Sequence, residues 1–498
     1  MERKTEREKG VVHDDRTSAD LALAQDEAGR SYLATATLAS LLVLTALLVL
    51  RIVMHLSYPF ALDLGEGMDH DVAWRVAQGG SIYNVVDKPP YFFTIYGPIL
   101  PYLSGLVVWI FGPAAGAARL VTVVFYVSSS IILYGFVRRE TTSTTAATIA
   151  ALFFLVERHV YSRAGFLVTD YPAIFFSLLG LYLWRGERRY WAVVAFALAF
   201  FSKQTSLAAA AAAFIALFLE GKRGESARMF AVFTLLVTAG LAACGFLFGR
   251  AYFVDTIQYA SVAKLEPAQS LVHVALALGL YFVPTAGWLV LLGRSAKDKR
   301  FLLPVLYFAF GALVGLTSGR VGASRSYFFD LAAAMSIITG YAWVLVEGRI
   351  RAGGATLLVW AVVAAQIFLI AFGMTYRSEV FTNRTREDFL HDSAVREAFR
   401  AESGIILCCQ PGFDGGARAQ NVSDDTYKLL QMVEAGLFSQ EVFLAPVRKR
   451  EFSMVIMPVG KGQSNLFTPE LRQAVLENYA VVREAYGEQY LVPRSSGG

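Results

Sequence analysis

Residues 99–112 read Ile99-Leu-Pro-Tyr-Leu-Ser-Gly-Leu-Val-Val-Trp-Ile-Phe-Gly112, an uncharged run closed off by Pro98 and Pro113. Whether this run crosses a bilayer decides which side every later loop faces. A span needs ~20 apolar residues, and this run has fourteen. Around it lie eleven longer or comparable candidates, at roughly 32–53, 116–137, 143–157, 170–184, 190–201, 204–220, 228–249, 271–292, 301–317, 327–346 and 354–374. If 99–112 does not cross, five short loops share a side with the N-terminus. They are Arg138-Arg139, Arg185 to Arg189, Lys222 to Arg228, Arg294 to Arg300, and Arg349 to Arg351. The opposite loops are longer yet hold only scattered cations, among them Arg75, Lys88, Lys203, Arg320 and Arg325. Positive residues gather on the cytoplasmic side. Counting 99–112 as a span breaks that alternation, so the run is expected to be an interfacial helix in the first outer loop.

The expected fold class is therefore mostly α. It is a polytopic membrane protein of about eleven transmembrane helices with an interfacial-helix outer loop, followed by a small C-terminal α/β domain outside the cytoplasm. A chain of 498 residues that is 55% hydrophobic, with mean hydropathy +0.47, agrees with that class. Residues 1–30 read as a disordered cytoplasmic tail, 31–374 as the membrane domain with 54–115 as its first outer loop, and 375–498 as the outer domain. In the last, 404–409 and 453–457 have the apolar look of short buried strands, and 425–437 and 468–478 the period of amphipathic helices. The net charge of +5 and the lack of a basic, aromatic-laced patch speak against nucleic acid. Three cysteines, two of them adjacent, make neither a disulfide framework nor a spaced metal motif.

Chemistry is concentrated in the outer loops. Asp63, Glu66, Asp69 and Asp71 crowd into nine residues directly after the first span. Carboxylates at a membrane edge are costly and point to function. Glu66 lies between Gly65 and Gly67, where the backbone can approach a ligand closely. That makes Glu66 the first choice for a general base, with Asp63 second. Asp71 and Arg75, four residues apart, look like a surface ion pair, and Asp69 has no assigned role. Asp170, just before Pro172, is either a helix start or a second acid facing the first. Lys203-Gln204 interrupts an apolar hairpin, and Arg320 and Arg325 flank a Gly-rich loop. Such cations suit a phosphate, whereas their alternative is anchoring to lipid headgroups. No cofactor is expected. A divalent cation is the alternative reading of the acids, without a second acidic cluster to close its shell.

Five segments resemble one family. They are Glu66-Gly67 with Gly79 to Tyr83 and Pro89-Pro90 to Pro98; Phe111-Gly112 to Ala118-Arg119; Thr169-Asp170-Tyr-Pro; Phe200 to Thr205; and Gly322 to Phe329. Together they resemble the GT-C superfamily of polyprenyl-phosphate-sugar glycosyltransferases, near bacterial relatives of the dolichyl-phosphate-mannose–protein mannosyltransferases and of the lipid A aminoarabinose transferase. The resemblance implies a membrane glycosyltransferase of the cell envelope. It would move a hexosyl or pentosyl group from a polyprenyl-phosphate donor to a hydroxyl of a glycan, lipid or protein on the outer face, with inversion. It places the catalytic acid on Glu66 or Asp63. It assigns substrate binding to Asp170, Lys203, Gln204, Arg320, Arg325 and Tyr327, with Lys88 and Tyr96 from the first loop. Relatives often carry an adjacent Asp-Glu pair where this chain separates Asp63 from Glu66, which leaves the choice of base open. The expected location is the bacterial inner membrane, N-terminus inside and C-terminal domain outside. The rival reading is a transporter or flippase of a lipid-linked sugar, against which stand the lack of an internal repeat and the placing of polar residues at the outer edge.

Overall fold

A computed structural model describes residues 32–83, 89–320, 325–347, 354–376, 384–459 and 467–495. The expected tail over 1–30 and Lys88 lie outside the described residues. In chain order the helices are α1 (Tyr32–Ser57), α2 (Leu64–Ala77), α3 (Ile99–Phe111), α4 (Ala115–Thr141), α5 (Thr144–Val156), the single turn α6 (Arg158–Tyr161), α7 (Asp170–Arg185), α8 (Arg189–Ser202), α9 (Ala208–Leu219), α10 (Arg223–Phe248), the single turn α11 (Arg250–Phe253), α12 (Pro267–Leu280), α13 (Phe282–Ser295), α14 (Leu302–Gly315), α15 (Phe329–Glu347) and α16 (Gly354–Tyr376).

Six helical stretches among the described residues are long and apolar enough to cross a membrane: α1, α4, α10, Lys299–Gly319 around α14, α15, and Leu357–Met374 within α16. The chain is a multi-pass membrane protein. The expected count of eleven drew also on α5, α7, α8 and α9. These have 12 to 16 residues, short of the ~20 that one straight span requires. The expected straight span over 271–292 is instead the bent pair α12 and α13, which turn by 91°. A break inside a bilayer leaves backbone groups without partners, and they must be met from elsewhere. Gln366 of α16 meets both sides of this one: it accepts from Val283 N at 3.2 Å and donates to Leu280 O at 3.1 Å.

The bundle packs through small residues, as helices do where lipid removes the hydrophobic drive between them. α15 carries Ala332, Ala333, Ala334 and Gly340, all facing inward. A Cβ on Gly311 of α14 would lie 2.8 Å from the Leu331 backbone, and one on Gly340 would lie 2.6 Å from Val137 of α4. Neither site has room for a larger side chain.

The C-terminal domain forms a five-stranded sheet ordered β2-β1-β3-β5-β4. The strands are β1 (Gly404–Cys408), β2 (Ala419–Asn421), β3 (Met454–Pro458), β4 (Tyr479–Ala485) and β5 (Glu488–Pro493). β1 pairs in parallel with β2 and β3, while β5 runs antiparallel to β3 and β4. Helix α17 (Arg386–Ala401) starts on a capping box between Thr385 and Asp388. α18 (Thr426–Glu434), α19 (Glu441–Arg448) and α20 (Pro469–Asn478) complete the layer, around Leu407, Val455, Leu429, Val447 and Val475. Strands β1 and β3 and helices α18 and α20 fall where the apolar pattern puts them. The edge strand β2 has only three residues, too few for a pattern, and β4 is largely exposed.

Candidate active site

Helix α2 starts on Asp63, whose Oδ1 accepts from Glu66 N at 2.8 Å. The helix then docks against the C-terminal domain. Gly67 permits this, because a Cβ there would lie 2.6 Å from Pro411 O. The glycine therefore serves the approach of two protein segments. It sits inside the helix.

Glu66 is fully buried. Its Oε1 accepts from Arg119 Nε at 2.8 Å and from Leu167 N at 2.8 Å. Its Oε2 accepts from Arg119 Nη2 at 2.9 Å and from Leu62 N at 2.6 Å. Arg119 spends its remaining donors on the carbonyls of His55, Tyr58 and Phe60. Burial opposes the charge on Glu66, yet the Arg119 guanidinium outweighs it and holds the carboxyl below the usual carboxylate range. All four acceptor sites are filled. Glu66 ties the start of α2, the start of α4 and the segment before α7 into one knot.

Asp63 lies beside that knot, partly exposed and ion-paired with Arg163. Asp71 and Arg75 do not pair with each other as the spacing suggested. Asp71 is buried and accepts from Gly412 N at 2.6 Å, while Arg75 reaches Asp424 of the C-terminal domain at 3.0 Å and covers the Phe92 ring at 3.7 Å. The docking of that domain takes both side chains, which sequence spacing could not reveal.

Asp69 is different. Among the described residues no hydrogen bond or ion pair occupies its carboxyl. Burial, with the negative charges of Asp170, Glu66, Asp63 and Asp424 around it, pushes that carboxyl well above the usual range. Across from it, Asp170 at the start of α7 pairs with Lys203 at the end of α8. Lys203 Nζ lies 4.5 Å from the centre of the Tyr327 ring and 5.4 Å from that of Tyr96. A small pocket of about 10 Å³ lies here, lined by Asp170, Lys203, Tyr327 and Asp330 among others. Tyr307 donates to Asp330 Oδ1 at 2.9 Å.

The structure thus brings Asp170, Lys203, Tyr96 and Tyr327 together beside Asp69. Gln204 is turned to the first loop, donating to Ile95 O at 3.4 Å. Arg320 follows a 3-10 turn and bridges Leu265; its Nε is buried with no hydrogen-bond partner among the described residues, and Lys428 of the C-terminal domain feels its charge. The side chain of Arg325 lies outside the description, as does Lys88. Three participants escaped sequence reasoning. Arg119 and Asp330 each stand alone in an apolar run, a signal that was available. Arg163 gave none. No group of three or more His, Cys, Asp or Glu among the described residues could hold a metal ion.

This arrangement of an apolar bundle, a first-loop helix and a small C-terminal α/β domain has known counterparts. Residues 87–248 match the family described as dolichyl-phosphate-mannose-protein mannosyltransferase. The fold is similar to that of ArnT from Cupriavidus metallidurans bound to undecaprenyl phosphate, with TM-score 0.60 and 12% identity, over 91% of this chain and 98% of that one. The apo state of the same ArnT matches with TM-score 0.60 and 12% identity, over 90% and 97% of the two chains. An archaeal oligosaccharyltransferase, AglB from Archaeoglobus fulgidus, gives TM-score 0.49 at 12% identity, over 83% of this chain and 69% of that one. No curated protein matches the sequence. The family match spans part of the membrane bundle, and the fold as a whole is like that of ArnT.

Proposed function

We propose that the chain is a glycosyltransferase that moves a sugar from a polyprenyl-phosphate donor to an acceptor hydroxyl at the outer face of a bacterial plasma membrane. The observation that carries this reading is Asp69, an acid left without a partner beside the Asp170–Lys203 pair, on a GT-C scaffold. The family matched over 87–248 and the undecaprenyl phosphate held by ArnT supply the class of donor.

In this reading the base is Asp69, in place of Glu66 or Asp63. A base must accept a proton, and Glu66 has no free lone pair while its charge is held by Arg119. Asp63 is engaged with Arg163 and with the helix start. A raised carboxyl with an open face suits proton abstraction. Asp69 takes the proton of the acceptor hydroxyl. The acceptor oxygen bonds to the anomeric carbon, the bond from that carbon to the phosphate oxygen breaks, and polyprenyl phosphate leaves with the electron pair. In-line displacement inverts the configuration. Lys203, Arg320 and Arg325 stabilise the charge growing on the phosphate, and Tyr96 and Tyr327 frame Lys203. Gln204 and Lys88 complete the substrate-binding set, and no cofactor takes part.

The test uses the purified chain in nanodiscs with polyprenyl-phosphate sugars, following release of polyprenyl phosphate. Acceptor-dependent release supports the proposal. A chain that moves the intact donor between leaflets without releasing lipid phosphate is a flippase, and the enzyme reading fails.

A further inference from the structure

A second opening lies on the far side of α2, and the reaction scheme leaves it unused. It is a cleft of about 310 Å³ between α2 and the edge of the C-terminal sheet. Trp74, Gln78 and Phe92 line one wall, Gln420 and Arg418 the other, and Asp71 and Asp414 the floor. The volume falls within the ~300–1,000 Å³ usual for small-molecule sites.

The inner end of the cleft is fixed in place. Arg75 lies over Phe92 and pairs with Asp424, and Asp424 Oδ1 accepts from Phe93 N at 2.9 Å. The Asp424 charge is in turn felt at Asp69.

The lining selects for chemistry. The Trp74 ring offers an apolar face of the size of a sugar ring, beside a Phe92 ring covered by Arg75, and carboxylates and amides offer donors and acceptors for hydroxyls. Carboxylates and guanidiniums are both present, so no strong field of one sign favours an ionic ligand. An extended peptide would need the free edge of β2. That edge is short and is continued by the chain itself: Tyr91 N donates to Val422 O at 2.9 Å, and Asp424 N to Tyr91 O at 3.1 Å. Strand addition is blocked where it would begin.

We propose that this cleft binds the acceptor, a neutral oligosaccharide. The inference rests on the glycosyltransferase reading above and narrows its acceptor to a glycan.

The experiment uses the full chain in nanodiscs and saturation-transfer NMR with mannotetraose, maltotetraose, cellotetraose and chitotetraose, alongside binding of undecaprenyl phosphate. At least one tetrasaccharide binds the unaltered protein. Trp74→Ala and Gln420→Trp, the second a plug on an exposed strand position, each weaken that binding by about tenfold, the scale of one lost ring contact. Both variants bind undecaprenyl phosphate as the unaltered protein does. The proposal is overturned if no tetrasaccharide binds, if binding is undiminished in both variants, or if a Ser/Thr-rich peptide binds in their place. Absence of undecaprenyl phosphate binding in the unaltered protein would strike the donor reading and leave the cleft measurement standing.

Discussion

Glu66 and Asp69 stand one turn apart on the same helix, with opposite surroundings. Glu66 is buried and fully partnered, and its charge is held in place by Arg119. Asp69 is less deeply placed, has no partner among the described residues, and is crowded by other acids. A buried carboxylate whose acceptor sites are filled becomes part of the architecture. One whose sites stay open, among like charges, keeps the capacity to take a proton. The difference lies in what the rest of the chain brings to each residue.

Four measurements would break or sharpen that contrast. The largest effect belongs to Asp69→Asn, which should lower transfer by about 10²–10⁴-fold, the usual worth of a general base. Its thermal unfolding should match that of the parent. Full transfer in Asp69→Asn, with loss in Asp63→Asn, would return the base to Asp63. Glu66→Ala acts on folding, since it leaves the buried Arg119 charge without its acid. A loss of about 3–5 kcal/mol is expected, read as a lower unfolding temperature in detergent; an unchanged temperature would deny the knot its structural role. Gly67→Ala drives a methyl group against Pro411 and should cost about 1–3 kcal/mol. Limited proteolysis should then release the C-terminal domain sooner, and unaltered digestion would argue against the tight docking of α2.

The smallest effect is a slope with pH. Burial lifts Asp414 to about 7, against an ordinary value of 3.8. Between those values the folded protein binds more protons than the unfolded chain at this residue. Its contribution to stability is therefore present at low pH and lost as pH rises through about 7. Asp414→Asn should flatten that part of the profile, measured as unfolding midpoints from about pH 4 to about pH 8. An unchanged slope would show that Asp414 does not carry it.

The bundle and the two layers of the C-terminal domain were legible because they follow from period and length. Apolar stretches gave α1, α4, α10, α15 and α16, and alternating or periodic patterns gave β1, β3, α18 and α20. The break between α12 and α13 was not legible. An unbroken apolar run says nothing of a bend that Gln366, from a helix far along the chain, makes tolerable. In the site, a crowd of acids after the first span could be seen, as could Asp170 and Lys203. Their ranking could not. Glycines on both sides of Glu66 suggested access to a ligand, whereas one of them serves contact with Pro411.

By itself, then, the sequence determined that this is a membrane bundle with an acid-rich loop, because length and polarity decide what a bilayer accepts. It also set which residues carry charge there. Which acid is sealed and which stays open was decided only by tertiary structure. Arg119, Leu167, Gly412 and Asp424 are distant in the chain, and burial beside them fixes whether a carboxyl is held, docked or left free.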